Sequence, residues 1–210
     1  LAYSIGYSKQ IKNTNLYIGA NLKLINSVIE NYSSFGLGGD LGILFKSEND
    51  PLIFTIVFRN FGYQITAYDE IKEDLPFQID FGASYDLQNV PITWFITLDN
   101  LQKWDIAVSN PSNSTIDIEG RVTDEKISFL NNTMRHFSLG MELFSKNNFN
   151  IQLGYNYRRS KELAIIDKRT FAGLTAGFGI NWRKIKFNYA FSKYHPVSNS
   201  STFSLQINLK

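Results

Sequence analysis

The sequence predicts an all-β fold: a transmembrane antiparallel β-barrel of about eleven strands, forming one domain over residues 1–210. Three observations predict it. Apolar and polar residues alternate over stretches close to the roughly 9–11 residues of a tilted membrane-crossing strand. The apolar rows carry aromatic residues at their ends, as interfacial girdles do. Short and long connections alternate strictly, the asymmetry of periplasmic turns and extracellular loops.

The elements follow in order. Ser4–Ser8 alternates weakly, and Gln10–Asn13 is a polar turn. Leu16, Ile18, Ala20, Leu22 and Leu24 form an apolar row against Tyr17, Gly19, Asn21 and Lys23. After a turn at 31–34, Phe35, Leu37, Gly39, Leu41, Ile43 and Phe45 oppose Gly36, Gly38, Asp40 and Gly42. Lys46–Pro51 turns through Asn49-Asp50-Pro51. Leu52, Phe54, Ile56 and Phe58 then face out, with Thr55 and Arg59 facing in. Phe61–Leu75 reads as a loop holding an acidic cluster, Asp69, Glu70, Glu73 and Asp74.

Two more strands, Phe77–Tyr85 and Ile92–Leu98, flank a turn at Gln88–Pro91. Leu101–Thr133 is the longest irregular segment, with a turn-rich run at Ser109–Ser114. Ile127, Leu130 and Met134 fall at helical spacing near its end. Five stretches of alternation complete the chain: His136–Phe144, Phe149–Arg158, Leu174–Trp182, Ile185–Ser192 and Phe203–Leu209. A short helix is expected at Ser160–Lys168, with Ser160 as its N-cap.

The short connections are 10–13, 46–51, 88–91, 145–148 and 183–184; the others are 31–34, 61–75, 101–134, 159–172 and 195–201. Outward aromatics fall at one set of strand ends (Phe35, Phe58, Phe77, Phe137, Tyr157, Phe191, Phe203) and at the other (Phe45, Tyr85, Phe149, Trp182). A soluble sheet would turn its apolar row to a core. Here the polar row is rich in Gly, Asn and Ser, which favours lipid against the apolar row.

Composition narrows the function classes. A net charge of +2 gives no argument for nucleic acid. The absence of Cys excludes a disulfide scaffold and a cysteine zinc site. No apolar run approaches the ~18 residues of a helical membrane span. The chain opens at Leu1 in a strand-like stretch, with neither Met nor signal peptide, so an N-terminally incomplete chain is expected.

No catalytic, cofactor-binding or metal-binding residue is assigned. His136 and His195 have no partner at motif spacing. Gly36-Leu-Gly-Gly39 lacks the helix and Lys-Ser/Thr of a phosphate loop. The acidic cluster lacks the ligand spacing of a calcium loop. The inward charges Lys23, Asp40, Arg59, Asp80, Asp86, Asp99, Glu142, Arg158 and Lys186 are of mixed sign, which reads as an ion-paired interior and not as a selectivity filter. Tyr63, Tyr68 and Trp104, in the expected surface loops, are the candidate partner-binding residues, since exposed aromatics anchor partners.

Several longer runs carry a resemblance. They are Phe35-Gly-Leu-Gly-Gly-Asp-Leu-Gly-Ile-Leu44, Leu75-Pro-Phe-Gln-Ile-Asp-Phe-Gly-Ala-Ser-Tyr85 and Asp99-Asn-Leu-Gln-Lys-Trp-Asp-Ile106. Arg135-His-Phe-Ser-Leu-Gly-Met-Glu142, Gly154-Tyr-Asn-Tyr-Arg-Arg-Ser-Lys-Glu-Leu163, Gly177-Phe-Gly-Ile180 and Phe187-Asn-Tyr-Ala190 continue it. Taken in this order, the set resembles the PorQ-like outer-membrane proteins of the type IX secretion system of Bacteroidetes, of the PorV/FadL barrel superfamily. The resemblance covers most of the chain. It implies a fourteen-stranded barrel, of which three strands would precede Leu1.

It also implies a bacterial outer-membrane location and no catalysis. The implied function is a membrane anchor that holds a PorZ-like surface partner in the attachment complex for secreted cargo, with PorU-like and PorV-like proteins and lipopolysaccharide nearby. The alternative is a FadL-like channel for hydrophobic small molecules. A soluble lipocalin-like carrier would need the aromatic row turned inward.

Overall fold

The structure is a computed structural model that describes residues 1–29, 32–67, 72–110, 114–164, 171–193 and 198–208. The chain runs β1 (Ala2–Gln10), β2 (Leu16–Ile29), β3 (Tyr32–Lys46), β4 (Leu52–Thr66), β5 (Gln78–Asp86) and β6 (Ile92–Leu98). A small hairpin, β7 (Thr115–Ile116) and β8 (Val122–Thr123), precedes helix α1 (Phe129–Met134). Then come β9 (Phe137–Leu143), β10 (Phe149–Asn156), helix α2 (Tyr157–Glu162), β11 (Leu174–Trp182), β12 (Ile185–Ser192) and β13 (Ser200–Ile207). The eleven alternating stretches of the sequence are the eleven strands of one sheet, in the order β1-β2-β3-β4-β5-β6-β9-β10-β11-β12-β13.

That order corrects the expected barrel. A barrel has no edge, because its last strand bonds its first. Here β1 pairs only with β2 and β13 only with β12 among the described residues, so the sheet is open with two edges. Every residue of β1 and every residue of β13 is exposed. The transmembrane β-barrel therefore does not stand. Neither does the secretion-system anchor barrel or the FadL-like channel, since both need a closed wall. The physical reason is that alternation and loop length report only on neighbouring strands. Closure depends on a bond between the first and the last strand, and neither signal contains it.

The chain divides into two compact units, Leu1–Ala83 with Asp99–Gln102, and Ser84–Leu98 with Lys103–Lys210. In the first unit, burial along β2 alternates against the usual sense. Leu22, Leu24 and Val28 are 55%, 41% and 65% exposed, while Asn21 and Lys23, next to Leu22, are half-buried. On β3 the polar-side positions Ser34, Gly36 and Gly38 are buried, and Phe35, Leu41, Ile43 and Phe45 are exposed.

β4 runs well past the expected end at Phe58, because the pairing with β3 slips. Leu41 faces Phe58 and Gly39 faces Phe61, so Arg59 and Asn60 together oppose Asp40. This is a β-bulge, and Asn60 adopts φ 55° in it. Beyond it Phe61–Thr66, expected as loop, is strand. Gly62 packs against Gly38 there. A Cβ at Gly62 would run into the Leu37 carbonyl and meet the Cδ1 of Leu75 at 2.9 Å, so glycine lets the two strands and Leu75 close up.

In the second unit β10 lies between β9 and β11, with Gly140 opposite Gly154 and Gly154 opposite Thr175. Rings on the apolar side touch from strand to strand: Phe149 to Phe178 (6.3 Å between centroids), Phe178 to Tyr189 (5.5 Å) and Tyr189 to Phe203 (5.0 Å). This ribbon runs from the start of β10 into the middle of β11, β12 and β13, so the outward aromatics are not confined to the strand ends. The expected helix at 160–168 starts earlier, at Tyr157, because the Asn156 side chain caps it by accepting from the Arg159 amide (2.8 Å). Residues 165–168 lie outside the described set. The helical spacing near Met134 corresponds to α1, capped by Ser128.

Candidate functional site

The polar face of the first unit carries a built cluster. Strand register sets Asn21 opposite Asp40, and the bulge brings Asn60 to the same carboxylate. Lys23 Nζ donates to Asp40 Oδ1 (2.7 Å) and to Asn60 Oδ1 (2.9 Å). The Asn60 backbone N–H donates to Asp40 Oδ1 (3.0 Å), and Asn21 Nδ2 to Oδ2 (3.2 Å). Asp40 therefore ties three strands and satisfies the amide that the bulge removes from the ladder. Beside it, Arg59 Nε donates to Asp80 Oδ2 (2.8 Å), and Gln78 Nε2 and the Asn100 amide donate to Oδ1 (2.7 and 3.2 Å).

The carboxylates in these clusters are occupied by donors that also hold the backbone. That makes them structural. Replacing Asp40 with alanine leaves Lys23 and the Asn60 amide without their acceptor and is expected to cost about 1–3 kcal/mol. Denaturant unfolding of the variant measures it, and a loss below ~0.5 kcal/mol, the usual surface value, refutes the structural assignment.

In the second unit, Thr93 hydrogen-bonds Asp86 and lies 2.9 Å from the Ser145 hydroxyl, while Lys146 pairs with Asp86 at 3.2 Å. A larger network joins the helices to the segment before α1. Arg135, its side chain 1% exposed, donates through Nη1 to the Val108 carbonyl (2.8 Å) and Glu162 Oε1 (3.2 Å), and through Nε to Asn131 (3.1 Å). Glu162 also accepts from Arg158 Nε (3.0 Å). His136 is buried; its Nε2 lies 3.0 Å from the Trp104 carbonyl, which also accepts from Asn132 Nδ2 (2.7 Å).

The residues singled out by sequence are placed as follows. Trp104 is 48% exposed, stacked on His136 (5.2 Å) and tilted against the exposed Phe129 (5.5 Å). Tyr63 belongs to strand β4, not to a loop, and stands exposed on the apolar side in register with Leu37. Tyr63 belongs to the first unit and Trp104 to the second, and Tyr68 is outside the described residues. The same holds for Asp69, Glu70 and His195, which are outside the described set.

Of the inward charges, Lys23, Asp40, Arg59, Asp80, Asp86 and Arg158 are in ion pairs. Glu142 and Lys186 are half-buried and make no ion pair among the described residues. No group of three or more acidic, His or Cys residues fit to hold a metal occurs among the described residues. Sequence reasoning missed Asn60, Arg135 and Glu162 as organising residues. Only Asn60 had a usable signal: the parity of the apolar row changes around it.

The larger surface is the apolar one. The only buried hydrophobic residues among those described are Ile106 and Ala172, whereas Asp80, Thr93, Asn132, Arg135, His136 and Asn150 are buried. Water-soluble domains bury in the opposite sense. Large apolar side chains are exposed on nearly every strand of the sheet, and contiguous exposed apolar surface is the mark of an interaction surface.

No family model matches the chain, and no curated protein matches it. The resemblance to PorQ-like proteins therefore rests on the quoted residues alone.

Proposed function

We propose that this chain is a non-catalytic, lipid-facing sheet of a bacterial outer membrane, its apolar side against acyl chains and its polar side sequestered from them. The observation that carries this reading is the inverted burial: leucine, isoleucine and phenylalanine outward, asparagine, aspartate and arginine inward. Water penalises that arrangement by about 25 cal/mol for each Å² of apolar surface exposed, and hydrocarbon does not. The strands of the sheet run from 7 to 15 residues, a range that brackets the about 9–11 of a strand crossing a bilayer. No helix among the described residues is long and apolar enough to cross a membrane, so the strands carry the contact. The unpaired edges of β1 and β13 cannot lie bare in hydrocarbon, so protein or water meets them there.

Trp94 and Trp182 test the reading directly, because both stand on the apolar side and are 48% and 66% exposed. In phosphatidylcholine vesicles their fluorescence is expected to be quenched by acyl-brominated lipid and spared by aqueous iodide. Recovery of the folded chain from detergent-free buffer, with iodide quenching both residues, refutes it.

A further inference from the structure

The apolar side of the first unit is not evenly filled. Cross-strand rows on that side read Tyr7–Ala20–Leu41–Phe58 and Ile5–Leu22–Gly39–Phe61. Each row holds one small residue, Ala20 in the first and Gly39 in the second, and the two are diagonal neighbours. The Phe61 ring leans across Gly39, where a Cβ would meet it at 2.8 Å, and forms one wall. The result is a hollow of about 470 Å³ edged by Ile5, Tyr7, Leu22, Leu37, Phe61 and Tyr63. A second hollow of about 400 Å³ shares Tyr7 and Ala20 with it and ends at Lys9, Ile11 and Lys12. Both volumes fall within the roughly 300–1,000 Å³ of small-molecule sites.

We infer that this trough holds one anionic glycerophospholipid, with an acyl chain over Ala20 and Gly39 and the phosphate at Lys9 and Lys12. The inference rests on the lipid-facing reading and names the lipid. Three features select the occupant. The floor and walls are apolar, so the bound part is hydrocarbon. Lys9 continues the outward row Tyr3, Ile5, Tyr7 in register with Ile18, so its ammonium lies on the same side as the trough. Neither Lys9 nor Lys12 makes an ion pair among the described residues, which leaves both charges for a phosphate; Glu48 lines a hollow with Lys12 without pairing with it.

Dimensions agree. From Ile5 to Lys9 the strand rises about 13 Å at ~3.3 Å per residue, close to half of a hydrocarbon core about 30 Å thick. Tilted as membrane strands are, that run lies within one leaflet. The lysines mark the end of the strands with tight turns, the periplasmic side in strand-built outer-membrane proteins. This favours a glycerophospholipid over lipopolysaccharide.

Native mass spectrometry of the full chain in detergent, titrated with phosphatidylglycerol and with phosphatidylcholine of the same chain length, tests the inference. One phosphatidylglycerol should be retained with a preference of about tenfold or more, the effect of two lysines near an anionic headgroup. Lys9→Gln with Lys12→Gln should abolish the preference while leaving phosphatidylcholine binding intact. Ala20→Phe, which fills the floor, should weaken both lipids alike, and the milder Ala20→Leu should do so if Ala20→Phe fails to fold. Equal binding of the two lipids, indifference to Ala20 substitution, or displacement of phosphatidylglycerol by lipid A at equal concentration overturns it. If the wild-type chain floats with phosphatidylcholine vesicles but shows these results, the trough alone is refuted. If it does not float, the lipid-facing reading itself fails.

Discussion

Replacing Glu162 with alanine is expected to destabilise the second unit by about 3–5 kcal/mol, the cost of stripping one partner from a buried ion pair. The geometry sets this high value. The Arg135 guanidinium is 1% exposed, so it cannot recover a solvent shell when the carboxylate goes. Glu162 also accepts from Arg158 and, at 3.4 Å, from the Val108 amide, so one deletion removes three contacts. The Arg158–Glu162 contact alone, four residues apart on α2, would be worth only about 0.3–0.5 kcal/mol as a surface pair. The buried guanidinium dominates the balance.

Glu162→Gln keeps an acceptor oxygen and should lose less than Glu162→Ala. Chemical denaturation gives the energy, and hydrogen exchange at Val108 locates it. The alanine variant should exchange faster there, while amides in β11–β13 change little. A loss below ~1 kcal/mol, the range of an exposed pair, would mean that Arg135 reaches water in solution.

The sequence shows the strands where one alternation persists and hides them where its parity changes. β9 to β13 keep an unbroken period of two, so Phe137 to Leu143 or Leu174 to Trp182 can be read directly. In β4 the outward residues are even-numbered up to Phe58 and odd-numbered from Phe61, because Arg59 and Asn60 share one partner. A reader following even positions sees the pattern stop and infers a loop. The same bulge creates the contact between Asn60 and Asp40, so one unseen backbone event hid both a strand and part of a polar cluster. Arg135 and Glu162 are 27 residues apart and meet only after α1 and α2 form. No local pattern announces them. Trp104 was legible as an exposed aromatic, but its stacking on His136 was not, since it depends on the irregular segment folding back. Sheet closure leaves no trace in the sequence. Amphipathic strands and uneven loops are equally compatible with a ring and with an open sheet.

An arginine at the centre of the apolar side separates lipid from water as the surrounding phase more sharply than any change on the polar side. Leu153 lies mid-strand in β10, between Met141 of β9 and Ala176 of β11, and is 43% exposed. In a bilayer, Leu153→Arg is expected to cost about 2–4 kcal/mol, the value for a lipid-facing arginine near the midplane of a membrane-crossing strand. Ile185, at the turn-proximal end of β12 and 42% exposed, should lose only about 0–1 kcal/mol on the same change, because the side chain can reach the interface. The two positions have nearly equal exposure, so a water-facing surface predicts nearly equal, small effects within about 0.5 kcal/mol. Depth distinguishes them where exposure does not. Reversible denaturant titration in phosphatidylcholine vesicles measures both. A graded loss, large at Leu153 and small at Ile185, follows from acyl chains against this side. Two small and equal losses would place the apolar side against water or a yielding protein surface, and the inverted burial would then need a partner chain to explain it.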